Sequence, residues 1–212
     1  MRKTTGTVIG YDPGGKRGNG LCRLFIKDGS IYDGNTMTLD NSEQIIQNIQ
    51  NESSVLAVGV DTLTSWSTGE GGWRPADRWL RGKYKEVKNS ILSPNSLYGS
   101  MALNGMAVLL SLRAQRPDLF ITETHPKVLF WCLMREKYDY KNKKKVMDKT
   151  LRNKLGFEIK SANSHEWDSA ISAFIALQGL MGIWKHDLHK MPCTVGERLI
   201  NPCGETHYFW PE

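Results

Sequence analysis

Three aspartates in this 212-residue sequence, Asp12, Asp61 and Asp168, occupy settings that point to chemistry. Asp12 closes a short run rich in β-branched residues, Thr7-Val8-Ile9-Gly10-Tyr11, and is followed at once by Pro13, Gly14 and Gly15. Such a strand must stop at its carboxylate. Asp61 repeats the design after Val55-Leu56-Ala57-Val58-Gly59-Val60, the pattern of a strand covered on both faces. Asp168 precedes Ile171 by three residues and Ile175 by seven, so it shares the inward face of a helix with them, and His165 lies one turn earlier. A buried unpaired charge is costly, and a cation shared with Asp12 and Asp61 answers it. Carboxylates converging from several elements hold Mg2+ or Mn2+ through hard oxygen ligands. Such ions activate water and stabilise the leaving oxygen in phosphodiester hydrolysis. Taken alone, Asp12-Pro13-Gly14 is equally well the opening of a turn, and Gly14 and Gly15 would let backbone amides approach an anion or a metal's ligands.

The elements that must position these residues follow from periodicity and punctuation. Residues 7–11, 20–27 and 31–39 are expected to be three consecutive antiparallel strands, the last two joined by a hairpin at Asp28-Gly29. A helix is expected over 42–50, capped by Ser42, with Ile45, Ile46 and Ile49 inward. After the strand at 55–60, residues 62–93 are polar, rich in glycine and tryptophan, and weakly periodic, which is expected to be an irregular inserted loop. Residues 95–115 are apolar nearly all round and predict a buried helix. A short strand at 119–122 leads into Glu123-Thr124-His125-Pro126, and Pro126 can start a helix running to about residue 135. The last strong helix is expected over 164–179, with Asn163 or Ser164 as cap and Glu166 in its first turn. The tail over 184–212 reads as irregular, its closing Tyr208-Phe209-Trp210-Pro211 docking as an edge strand. His186, His189, Cys193, Cys203 and His207 fit no common zinc spacing. The order of elements predicts an α/β domain with a mixed five-stranded sheet and helices on both faces, one domain over 1–212.

Charge narrows the partner. The net charge is +6, and residues 141–154 hold seven basic residues (Lys141, Lys143, Lys144, Lys145, Lys149, Arg152, Lys154) against Asp148, a surplus equal to the whole excess. Val146, Leu151 and Leu155 are expected on the apolar side of that segment, with Gly156 as its stop. A basic stretch on an otherwise balanced protein is the footprint expected for nucleic acid, and equally the solvated face of a helix. Arg74, Arg78 and Arg81, beside Trp66, Trp73 and Trp79, offer cations and stacking faces to a strand; in the alternative the tryptophans anchor the loop to the body and the arginines are solvated. No apolar run is long enough to span a membrane, and the opening Met1-Arg2-Lys3-Thr4-Thr5-Gly6 has no signal-peptide core, so a cytoplasmic protein with reduced cysteines is expected.

Topology and carboxylate placement resemble the RNase H-like fold, and Asp12-Pro13-Gly14 together with His165-Glu166-Trp167-Asp168-Ser169-Ala170 is similar to the first and last motifs of RuvC-type resolvases. More closely, the chain resembles the family known as domain of unknown function 429, described as predicted RNase H-like nucleases. The matching stretches run from Gly10 through Gly59-Val60-Asp61, Ser93-Pro94-Asn95 and Glu123-Thr124-His125-Pro126 to the closing Tyr208-Phe209-Trp210-Pro211. The resemblance implies metal ligation by Asp12, Asp61 and Asp168, with Glu123 as a fourth carboxylate and His165 or His125 near the reacting phosphate. In a nuclease reading the basic segment, through Lys143, Lys144, Lys145, Lys149 and Arg152, holds phosphates, and a homodimer is possible because resolvases pair two sites. Where resolvases place a glutamate at the end of the fourth strand, Asp61 is one methylene shorter. Two other functions fit the same fold: a non-hydrolytic nucleic-acid-binding protein, and an ATP-phosphate-binding enzyme of the sugar-kinase kind, which would need two such lobes.

Overall fold

The structure, a computed structural model, describes residues 5–97 and 99–211. Strands β1 (Gly6–Asp12), β2 (Asn19–Lys27) and β3 (Ser30–Leu39) form an antiparallel meander, turned at Asp28 and Gly29 with φ of 51° and 80°. After helix α1 (Ser42–Gln50), β4 (Val55–Val60) pairs parallel with β1. Beyond the two-residue strand β5 (Trp66–Ser67), helix α2 (Pro75–Lys83) and helix α3 (Gly99–Gln115), β6 (Phe120–Glu123) pairs parallel with β4. The sheet order is β3-β2-β1-β4-β6, the mixed five-stranded arrangement of an RNase H-like α/β fold.

Strand alternation divides the core. Val8, Cys22, Leu24 and Ala57 face one side, packed under α4 (Pro126–Met134), α5 (Tyr140–Leu155) and α6 (Ser164–Leu180). Ile9, Tyr11, Val58, Val60 and Ile121 face the other, against Ile45 and Ile49 of α1 and Val108, Leu109 and Leu112 of α3. Asp12 and Asp61 continue the parity of Val8 and Ala57, so the period of two aims both at α6.

Several local expectations are corrected. Asn41, not Ser42, caps α1, accepting from the Gln44 amide at 3.0 Å. The apolar helix begins at Gly99, after a 3-10 turn over Pro94–Ser96. Residues 62–93 are not an irregular loop: they hold β5, α2 and two 3-10 turns. Nine residues are too few for the apolar period to stand out, but Pro75 at the first helical position and Asp77, accepting from the Arg74 amide at 3.1 Å, start α2. In α5, Leu151 and Leu155 are buried as expected, but Met147 takes the inward place expected of Val146, which is 46% exposed. In the tail, β7 (His186–Asp187) pairs with β9 (Phe209–Trp210), and β8 (Leu199–Ile200) pairs with β5. His207 makes one isolated parallel bridge to Thr122 beside β6, whereas the aromatic strand Phe209–Trp210 belongs to the separate two-stranded sheet with β7, and Tyr208 and Trp210 are buried. No helix among the described residues is long and apolar enough to cross a membrane.

Candidate metal centre

Three strand glycines let the site form. A Cβ on Gly10 would come within 1.8 Å of the Ser169 carbonyl oxygen, one on Gly59 within 2.1 Å of that of Ser172, and one on Gly20 within 2.0 Å of that of His165. Gly10 and Gly59 are register partners. The backbone of α6 therefore lies directly on the sheet, where any side chain would hold it off. Asn163 caps the helix through the Glu166 amide at 3.1 Å. The Glu166 carboxylate accepts from the hydroxyls of Thr36 and Thr38 and from the Ala162 amide, tying the first turn to β3. Trp167, fully buried, packs edge-on against Phe130 and Tyr138 and donates from Nε1 to the Met147 carbonyl. Asp168 is thus locked in rotation as well as in height.

Asp12, Asp61 and Asp168 each offer a carboxylate oxygen within 4.8 Å of the other two. Asp12 and Asp168 are 4% and 5% exposed, and Asp61 is half-buried at the mouth. Burial raises the pKa of all three. The charge of Asp12 raises Asp61 and Asp168 further, and Asp61 adds to Asp168. Asp168 Oδ1 is buried with no hydrogen-bond partner among the described residues. A buried acceptor without a donor, in a cluster whose ligand atoms are all carboxylate oxygens, fits a hard divalent cation such as Mg2+ or Mn2+.

Around the cluster stand three groups. His165 Nδ1 lies 2.6 Å from Asp12 Oδ2, and that bond raises the imidazole pKa. Lys127, exposed on the first turn of α4, lowers the pKa of each of the three aspartates. The hydroxyl of Tyr138 is buried beside Asp168, and burial, reinforced by the Asp168 charge, raises the phenol pKa. Neither Lys127 nor Tyr138 stood out in the sequence: Lys127 lies just past the Glu123–Pro126 stretch and Tyr138 in the turn between two helices, each without a spacing that ties it to the aspartates. The glycines had a signal: glycine inside a strand marks close backbone approach. In the loop after Asp12 the Gly14 amide and carbonyl are taken up internally, while Gly15 stays exposed. Asn19 Oδ1 accepts from the Tyr11 hydroxyl at 2.9 Å and the Gly14 amide at 3.3 Å, and Asn104 donates to the Gly14 carbonyl.

Glu123 and His125 are not brought to the cluster. Gly59 pairs with Thr122 and Val60 with Glu123, so Glu123 points to the face opposite Asp61, and Thr124 takes the inward place, its hydroxyl 2.7 Å from that of Ser172. Both Glu123 oxygens are occupied by Arg74, at 2.6 and 2.7 Å, with Thr64 donating to Oε2. Burial would raise its pKa, but the guanidinium outweighs that and holds the carboxyl well below its usual range. His125 donates from Nε2 to the Ser90 carbonyl, and burial lowers its pKa to about 4.

The basic residues separate too. Arg74, expected on nucleic acid, is 1% exposed and clamped between Asp77 and Glu123. Arg78 pairs with Glu197 at 2.7 Å. Arg81 donates to the carbonyls of Lys88 and Ile91 and lies over the Trp73 ring, 4.6 Å from its centroid. Each of the three has an internal acceptor, and of them Arg74 is fully withdrawn from any strand, whereas the Arg78 side chain is 41% exposed. Lys143, Lys144, Lys145, Lys149 and Arg152 are all exposed on α5. The histidines and cysteines of the tail do not assemble: among the described residues the aspartate cluster is the group able to hold a metal.

Neither family models nor curated proteins give a match to the chain. Among solved structures, that described as Thermus thermophilus RuvC aligns over 83% of this chain and 96% of that chain, at 14% identity and a TM-score of 0.44. That likeness carries no residue role over to this chain.

Proposed function

We propose that the protein is a divalent-metal-dependent nuclease that hydrolyses phosphodiester bonds of DNA or RNA at Asp12, Asp61 and Asp168. The observation that carries this reading is the trio of carboxylate oxygens within 4.8 Å of one another, with Asp168 Oδ1 left without a donor. When bound, Mg2+ or Mn2+ supplies water activation and stabilisation of the leaving oxygen. The chain's own residues place these events. Asp12 and Asp61, at the ends of paired strands, and Asp168, fixed on α6, hold the oxygens together against their repulsion. His165 orients Asp12, and its ring, with the side chain 42% exposed, stands where a proton can pass between Asp12 Oδ2 and solvent. Lys127 adds a positive charge beside the cluster, suited to a phosphate. The motif resemblance to the domain of unknown function 429 family supports the same activity.

The test is cleavage of labelled single- and double-stranded DNA and RNA with Mg2+ or Mn2+. Asp12→Asn and Asp168→Asn should each abolish cleavage while the protein stays folded. Wild-type rates in either variant refute the site. Binding without cleavage in the wild type would replace the nuclease by a nucleic-acid-binding protein.

A further inference from the structure

The cations of α5 divide by partner. Lys143 pairs with Glu136 at 2.9 Å, and Lys144 is held by Asp148 at 2.6 Å, by the Tyr140 hydroxyl and by the Ser161 carbonyl. Lys145, Lys149 and Arg152 are exposed and make no ion pair among the described residues. Spaced by four and three residues, they share one face of the helix, whereas Lys154 falls on the opposite side. Lys141 has no ion pair among the described residues either. It precedes a local departure from helical geometry at Lys143 (φ −117°, ψ 25°) and leads into the stripe.

Two open grooves follow one another along this helix. The first, of about 570 Å³, is lined by Lys127, Lys137, Tyr138, Lys141 and Ser164, with Glu86 and the helix-capping Asp139 as its acids, and Tyr138, which stands beside Asp168, and Ser164, next to His165, form its side toward the aspartate cluster. The second, of about 580 Å³, is lined by Lys145, Lys149, Arg152 and Lys160. The acids facing it are Asp148, already committed to Lys144, and Glu158. A groove with four cations and one uncommitted acid is complementary to a polyanion.

We infer that α5 carries the nucleic-acid strand away from the cut: Lys127, Lys137 and Lys141 hold its phosphates in the first groove, and Lys145, Lys149, Arg152 and Lys160 hold those beyond. The direction away from a cut rests on the nuclease reading, while the binding track itself does not. From Lys141 to Arg152 the helix rises about 16 Å, the length of about five nucleotides at about 3.4 Å each.

The experiment compares two double variants with the same charge change. Binding of a fluorescein-labelled oligonucleotide, single-stranded and duplex, is followed by anisotropy over a salt series in EDTA. Lys145→Gln with Lys149→Gln should weaken binding about tenfold or more at low salt and lower the log–log salt slope by about 1.5 to 2. Lys27→Gln with Lys154→Gln should change affinity less than about twofold, since Lys27 stands at the end of the sheet away from Asp12 and Lys154 faces away from the stripe. Lys149→Gln with Arg152→Gln must repeat the first result. Equal weakening by both kinds of double, no weakening by either, or no binding by the wild type overturns the track. Cleavage with Mn2+ is scored separately: a protein that cleaves but binds equally well without the stripe keeps its site and loses the track, and one that needs the stripe but cleaves nothing keeps the track and loses the nuclease.

Discussion

His165 Nδ1 sits 2.6 Å from Asp12 Oδ2, joining the first turn of α6 to the end of β1 across 153 residues of sequence. The bond fixes which Asp12 oxygen remains free for a cation and which ring nitrogen faces outward. A histidine that orients a ligating carboxylate acts as metal-site support, and losing such support typically costs 10–100-fold in metal affinity. His165→Ala should therefore weaken Mn2+ binding by about that factor, measured as the Mn2+ concentration needed for half of the thermal stabilisation. An unchanged midpoint would remove His165 from the site.

The repulsion among the aspartates gives a signature that does not depend on turnover. Burial and neighbouring charge raise the pKa of Asp61, so an amide there relieves strain that the carboxylate imposes when no cation is present. Asp61→Asn should melt at a higher temperature than wild type in EDTA and lose the Mn2+-induced shift. For wild type, metal at about a hundred times its dissociation constant should add about 2.7 kcal/mol. A variant less stable than wild type in EDTA would mean that the carboxylate is structural.

The approach of α6 to the sheet is testable at single atoms. Gly10→Ala would put a methyl group 1.8 Å from the Ser169 carbonyl oxygen, forcing the helix away at a cost of about 1–3 kcal/mol and spreading the carboxylates. Gly15→Ala meets nothing within 4 Å and should stay within about 0.5 kcal/mol of wild type. Chemical denaturation of both measures the contrast, and near-neutral Gly10→Ala would contradict the packing described.

Arg74 lies between Asp77 and Glu123, all three buried. Arg74→Leu strands two carboxylates and should cost about 3–5 kcal/mol at neutral pH. Because Arg74 depresses the Glu123 pKa below its ordinary 4.5, the pair's contribution is complete above that value and is lost as pH falls toward the folded-state value. In the variant, protonation of the stranded acid relieves it instead. The gap in unfolding free energy between the two proteins should narrow as pH drops below 4.5, and a gap that stays constant would show that Glu123 is not the group Arg74 stabilises.

Short-range rules determined much of this protein. A proline and two glycines after Asp12, an apolar run before Asp61 and the helical spacing of Asp168 from Ile171 and Ile175 are effects of a few neighbouring residues, and they placed three aspartates on the sides where they meet. The order of the five sheet strands and of the helices outside residues 62–93 was legible for the same reason. What only the tertiary structure decided depends on the offset between strands far apart in sequence. Pairing of Val60 with Glu123 turned that carboxylate to the opposite face and gave the inward place to Thr124. Partners contributed from elsewhere buried Arg74 and occupied Lys143 and Lys144. Lys127 and Tyr138 reached the site because α4 and the turn after it pack against α6 through Trp167. Periodicity fixes which way a side chain points from its own element, but register and packing decide what it then faces.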